Sequence, residues 1–318
     1  AAKAWNIEVE RAYVYSSNSA HTTPQEGDDG AGSTALTRFT DVLSGSAFTG
    51  YLDYNQYTGA DEQTLTTGDR LTGTAATDDK LFAQQVGGSR PTLSGIEIVS
   101  IDAKAAAPNL DLSDSTGVKQ VVNYRSSETS TLTFSGLKNL VDVEVDHTNA
   151  NTVVQFNGSV VAGINDSLNL TVKGAGVAAK PSNFTAAGIE NLTVNALEDA
   201  SVLGTVFAAD VKTLTITGDQ NLRVGSKTAV GFNSGNIETV DGSAATGNLF
   251  LNLVNSAGRD QTVKTGSGND VVVTGNLNAT DTFDLGTGND RLVLTTVSTN
   301  EAAKLQGVEE VEARVAAT

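Results

Sequence analysis

The sequence predicts an all-β chain wound as a parallel β-solenoid or β-roll behind a small β-rich N-terminal segment, with β-sandwich domains as the alternative. Three observations carry this prediction. Apolar residues alternate with Thr, Asn and Lys, the period of strands with one buried face, as in Leu168-Asn169-Leu170-Thr171-Val172 and Leu214-Thr215-Ile216-Thr217. A strand-like phrase recurs along the middle of the chain with a Gly or Asn turn after it. Near the end, one glycine-rich acidic turn is spelled twice, Gly266-Ser267-Gly268-Asn269-Asp270 and Gly286-Thr287-Gly288-Asn289-Asp290.

Composition narrows what such a chain does. Its 318 residues suffice for a substantial core. There is no Cys, so disulfides and thiolate metal sites are ruled out, and stability has to come from packing, hydrogen bonds or hard ions held by oxygen. The formal charge of -17, from 37 Asp plus Glu against 20 Lys plus Arg, repels nucleic acid and anionic lipid. Bound divalent cations would relieve the same charge. No apolar run is long enough for a transmembrane segment. The start, AAKAWNIEVE, lacks the apolar core of a signal peptide; a removed signal, export without one, or a larger parent chain each accounts for it.

Three regions follow one another. Residues 1–60 hold the single Trp (Trp5), every Tyr except Tyr124, and a polar loop from Ser16 to Ser33; they read as a β-rich cap or small domain. Residues 61–257 carry the recurring phrase: IEIVSIDA from Ile96, VKQVVNY from Val118, LKNLVDVEVD from Leu137, INDSLNLTVKG from Ile164, IENLTVNA from Ile189, VKTLTITG from Val211 and IETVDGS from Ile237. Successive starts lie 22, 19, 27, 25, 22 and 26 residues apart, a length suited to one coil of a solenoid in which each coil covers the open face of the one before. The unequal spacing fits a sandwich, the recurring phrase a solenoid. Gly95-Ile96-Glu97, Gly188-Ile189-Glu190 and Gly307-Val308-Glu309 share a Gly-apolar-Glu start, read as a turn entering a strand whose Glu faces solvent. Residues 258–318 form the third region, of acidic turns and a terminal strand or cap.

In that region Asp260, Asp270, Asp281 and Asp290 are spaced by 10, 11 and 9 residues, and Val272, Phe283 and Leu292 each follow an Asp by two. A unit of this length is half tight turn, in which glycines take positive φ, and half short strand with an inward apolar side chain. Alternate units fall on the same side of neighbouring coils, so Asp270 stacks with Asp290, and Asp260 with Asp281. Carboxylate and carbonyl oxygens from two coils then surround one point, an arrangement suited to Ca²⁺.

Gly266-x-Gly268-x-Asp270-x-Val272 and Gly286-x-Gly288-x-Asp290-x-Leu292 resemble the nonapeptide calcium repeats of the repeats-in-toxin (RTX) family, G-G-x-G-x-D-x-U-x with U a large apolar residue. The first glycine is replaced by Thr265 in one copy and Leu285 in the other, and the stretch Asn278 to Phe283 has none. Ligand candidates are therefore Gly266, Gly268, Asn269, Asp270, Gly286, Gly288, Asn289 and Asp290 for a complete site, with Asp260 and Asp281 for a degenerate one. An echo, LTTGDRLTGTAATDDKLF from Leu65 to Phe82, adds Asp69 and Asp79. Loosely from Leu65 to Val315, the chain is similar to calcium-dependent surface-layer (S-layer) proteins of Gram-negative bacteria and related RTX adhesins. That resemblance implies secretion to the cell surface without a cleaved N-terminal signal (type I secretion), bound Ca²⁺, and self-assembly into a lattice. A cell-surface polysaccharide or lipopolysaccharide is the other partner considered.

Other chemistry is thinly represented. His21 and His147 are accompanied by no GxSxG, HExxH or phosphate-binding glycine loop and read as surface residues. His147 beside Asp142, Glu144 and Asp146 offers a minor cation site or a solvated strand face. The pairs Asp28-Asp29, Asp78-Asp79 and Glu309-Glu310 are scattered, so a carbohydrate-active enzyme on a β-helix ranks below a non-enzymatic structural protein or an adhesin.

Overall fold

A computed structural model describes residues 34–295 and 301–314; the polar loop from Ser16 to Ser33, Trp5 and His21 lie outside the described residues. The chain is a parallel β-solenoid. Its longest sheet stacks twelve strands in chain order: Ala47–Gly50, Lys80–Gln85, Ile98–Ala103, Gln120–Tyr124, Asp142–Asp146, Ser167–Lys173, Asn191–Ala196, Thr213–Gly218, Thr239–Ala245, Thr262–Lys264, Thr282–Asp284 and Lys304–Gln306. Each of the seven recurring phrases delivers one strand of this sheet, from Ile98–Ala103 through Thr239–Ala245, and consecutive phrases are hydrogen-bonded neighbours.

The opposite wall is a ten-stranded sheet from Asn109–Asp111 to Glu310–Ala313. A three-stranded sheet of Val42–Ser44, Arg70–Thr72 and Thr92–Ser94 lines the first coils. The ladder passes positions 61 and 258 without interruption. Among the described residues, antiparallel pairing is confined to the hairpin Asp53–Asn55/Ala60–Glu62 and an isolated Val177–Lys180 bridge. A sandwich of antiparallel sheets is thereby excluded. The described helix content is one short 3-10 segment, Val254–Ser256, and no described helix is long and apolar enough to cross a membrane.

Period-two alternation becomes continuous rows once the coils stack. Leu192, Leu214, Val240, Val263 and Phe283 are mutual register partners along the inner face, all buried. Thr193 and Thr215, one residue on, form the outer row. Each fully buried Leu, Val or Phe contributes roughly 1.5–3 kcal/mol, and the rows make one core along the axis rather than separate ones. The unequal coil lengths are absorbed in connections such as 157–166, which leaves Ile164 exposed, and in single-residue register shifts at Phe134/Leu137, Ser182/Phe184 and Thr215/Thr217.

Two of the glutamates expected to face solvent are buried: Glu97 and Glu190 are 7% and 9% exposed. Glu97 Oε2 accepts the N–H of Asp79 (3.1 Å), and Glu190 Oε2 that of Asp166 (2.8 Å), each one coil earlier. A buried N–H without an acceptor costs about 1–3 kcal/mol, so these carboxylates satisfy donors that the coil corner takes out of the strand ladder. The third member, Glu309, is exposed but makes the same bond to Asp290 N (2.7 Å), and its strand joins the ten-stranded sheet.

Candidate metal site

Asp270 and Asp290 each end a glycine turn and lead into the adjacent parallel strands Val271–Thr274 and Arg291–Leu294, paired Val271 to Arg291. The large apolar residues two positions on, Val272 and Leu292, are fully buried and anchor both turns to the core. Thr262–Lys264 and Thr282–Asp284 pair on the other wall, which places Asp260 and Asp281 across the coil from Asp270 and Asp290.

The turns stack closely enough to demand glycine. Gly286 has φ +80°, and a Cβ there would lie 2.0 Å from Gly266 O; Gly288 has φ +150°, and its Cβ would lie 2.0 Å from Gly268 O. Gly266 and Gly268 lie outside the left-handed region, contrary to the positive φ expected of every turn glycine. Close approach explains them: a Cβ would come within 1.8 Å of Ala245 O and 2.5 Å of Gly247 O. Ala245 to Asn248 is thus a third turn of the same stack, without an Asp.

Two side-chain ladders of opposite sense tie these turns together. Asp290 Oδ1 accepts Asp270 N (2.7 Å), and Asp270 Oδ1 accepts Leu249 N (2.8 Å), each pointing one coil back. Asn289 N donates to Asn269 Oδ1 (2.9 Å), Asn269 N to Asn248 Oδ1 (2.7 Å), and Asn248 N to Asn221 Oδ1 (2.8 Å). Sequence reasoning missed Asn221 and Asn248. Their signal was an Asn directly before the strand residues Leu222 and Leu249, in phase with Asn269 and Asn289.

The second carboxylate oxygens decide the chemistry. Asp270 is 0% and Asp290 1% exposed, yet Oδ2 of each has no hydrogen-bond partner. The nearby Thr265 hydroxyl donates instead to Leu285 O (2.7 Å). Burial raises the Asp270 carboxyl above its ordinary value, against the lowering effect of Thr265 and of the Leu249 and Gly266 N–H groups. Asp290 is raised too, by burial first and then by the charges of Asp270 and Glu309, with the Asp270 N–H opposing. Two buried, mutually repelling carboxylates with unused oxygens are costly in isolation and suited to a cation.

The remaining candidates differ. Asp281 spends both oxygens, on Gln261 N and Asn278 N (2.8 Å each). Asp260 does not stack with Asp281 as expected: the register sets Asp281 opposite Gln261, and Asp260, one residue earlier, is exposed and accepts the Thr280 hydroxyl (2.7 Å). Asp69 accepts Asp41 N (2.9 Å), Thr66 N (2.7 Å) and the Thr66 hydroxyl (2.8 Å); burial raises its carboxyl against these bonds. Asp79 is held by Thr74 N and the Thr74 hydroxyl. Asp69 and Asp79 precede strands of different sheets, so they are not stacked. His147 is a partly exposed corner residue with φ +48°, bonded to Asp146 and, at 3.0 Å, to Asp199.

Among the described residues no three His, Cys, Asp or Glu side chains converge into a metal-holding group. A cation at the Asp270–Asp290 turns would therefore take most of its ligands from backbone. The free donors are of the kind Ca²⁺ takes, six to eight hard oxygens in flexible geometry: two free Asp Oδ2 atoms, with turn carbonyls to complete the set, of which Gly266 O is already shared with the Thr287 N–H (3.0 Å). Compared with known protein families, curated proteins and solved structures, the chain matches none.

Proposed function

We propose that this chain is a calcium-stabilised, non-enzymatic structural protein of the bacterial cell surface that assembles with itself into a surface layer. The observation that supports it most is the pair of buried Asp Oδ2 atoms without partners, one coil apart in stacked glycine turns. Asp270 and Asp290, with the carbonyls of Gly266, Gly268, Gly286 and Gly288, would hold the ion, and Asn269 and Asn289 fix the turn spacing through their ladder. Bound Ca²⁺ would supply charge neutralisation for a chain of net charge -17 and link folding to the extracellular medium. Extracellular modules bind Ca²⁺ with a Kd on the order of 10⁻⁴ to 10⁻³ M, so such sites fill outside a cell and stay empty inside it.

The partners of this reading are further copies of the chain, and a cell-surface polysaccharide or lipopolysaccharide to which the layer is fixed. Negative-stain imaging of the purified chain tests it. Calcium should produce extended ordered sheets that EGTA disperses. Dispersed particles at every protein and calcium concentration would refute the surface-layer reading.

A further inference from the structure

We propose that the tyrosine-bearing hairpin at residues 51–62, with the outer face of the first coils beside it, is a docking site for an uncharged glycan chain. Aromatic residues make up only 5% of this protein, yet all four described tyrosines gather in this region. Tyr51, Tyr54 and Tyr57 are 62%, 61% and 61% exposed within seven residues of sequence. Tyr51 packs on Phe82 (ring centroids 5.4 Å apart), and Phe82 on Tyr124 (6.1 Å), so the rings run across the outer face of successive coils.

The hairpin is braced rather than loose. Arg38, nearly buried, pairs with Asp53 (2.6 Å) and Glu62 (3.7 Å), and Asn55 joins the two strands through Glu62 (2.9 Å) and Tyr57 N (2.8 Å). Exposed rings held on a rigid support lose little entropy when they bind. A second observation comes from the floor of the patch. Asp102 lies between Gln84 and the Tyr124 position on neighbouring strands and is 5% exposed; its Oδ2 takes Gln84 Nε2 (3.0 Å) and Lys104 Nζ (2.7 Å), while Oδ1 has no partner.

Chemistry selects the occupant. Asp53, Asp61 and Glu62 stand against the single cation Arg38, which pairs with the first and the last, so the hairpin keeps a net negative charge that disfavours an anionic polymer. Protein-binding hot spots set aromatic rings in dry, well-packed pockets. Here the exposed polar neighbours are Gln56 and Asp61, while Asn55 and Gln84 are spent on internal bonds and Arg125 lies over the Tyr124 ring (5.1 Å). Rings for the C–H faces of a sugar, with carboxylate and amide acceptors for its hydroxyls, suit a neutral saccharide. The inference deepens the anchoring part of the proposed function and is independent of the calcium site.

Native affinity electrophoresis of the full chain in gels cast with dextran, galactomannan, xyloglucan, alginate or no polymer tests it, in calcium and in EGTA. At least one neutral polymer should retard the chain while alginate does not. Tyr54→Ala with Tyr57→Ala, at side chains that project from the hairpin, should weaken that retardation at least tenfold with the circular dichroism spectrum unchanged. Tyr51→Ala, which also removes the contact to Phe82, should act in the same direction. Migration unaffected by every neutral polymer, retardation by alginate alone, or equal retardation of the tyrosine variants would each overturn the proposal. Retention of neutral glycan by a chain that forms no sheets in calcium would refute the lattice and leave the docking site standing.

Discussion

Replacing Asp270 and Asp290 together by Asn separates their two duties. Each Oδ1 satisfies a backbone N–H one coil earlier, a bond that an amide oxygen preserves. Each Oδ2 lacks a partner and is available for charge-dependent ligation, which Asn weakens. With a Kd on the order of 10⁻⁴ M and 10 mM calcium, binding to the folded state alone stabilises the parent chain by about 2.7 kcal/mol. At roughly 2–4 °C per kcal/mol for chains of this size, the melting temperature should rise by about 5–10 °C between EGTA and calcium. The double Asn variant should melt at or above the parent in EGTA, because the repulsion between two buried carboxylates is gone, and should lose the calcium-induced rise. Asp290→Ala, by contrast, should also destabilise in EGTA, by about 1–3 kcal/mol, because it leaves Asp270 N without its acceptor. Scanning calorimetry in the two buffers distinguishes these cases. A double Asn variant that keeps the full calcium-induced rise would place the ion elsewhere and refute the reasoning.

Gly286→Ala should destabilise the chain by about 2 kcal/mol or more even in EGTA, since the new Cβ meets Gly266 O at a positive φ, whereas Gly258→Ala, with nothing within 4 Å, should be tolerated; urea unfolding compares them. In EGTA the raised carboxyls of Asp69, Asp270 and Asp290 should make stability increase as pH falls through their folded pKa values toward the ordinary range near 3.8, because the folded state holds those protons more tightly. In calcium, protonation of Asp270 and Asp290 competes with the ion, so calcium-linked stabilisation should shrink over the same interval; melting curves against pH in both buffers read the two opposite slopes.

Much of the fold is legible in the chain because each coil repeats a short local code. Leu-x-Leu alternation names the buried face of a strand before any partner is known, and the phrase beginning Ile96, Val118 or Ile189 names the strands that will lie side by side. The twenty-residue interval from Asp270 to Asp290 likewise states that their turns stack, since both strands must present their apolar side chain to one core.

What those carboxylates touch depended on the coil next door. Glu97 and Glu190 look like ordinary solvent-facing strand residues until a neighbouring coil presents an N–H with no other acceptor. Asp69, Asp79, Asp281 and Asp290 share an acidic-then-apolar spelling, yet Thr66, Thr74 or Asn278 occupies the second oxygen in the first three and nothing does in the last. The gathering of Tyr51, Phe82 and Tyr124 is equally invisible along the chain, because they stand 31 and 42 residues apart and meet only when coils of different length come into register. Local alternation and repeat length determined the solenoid and its inward faces. Hydrogen bonding between coils, set by stacking over about 4.8 Å, decided which acidic groups are spent and which are left to bind.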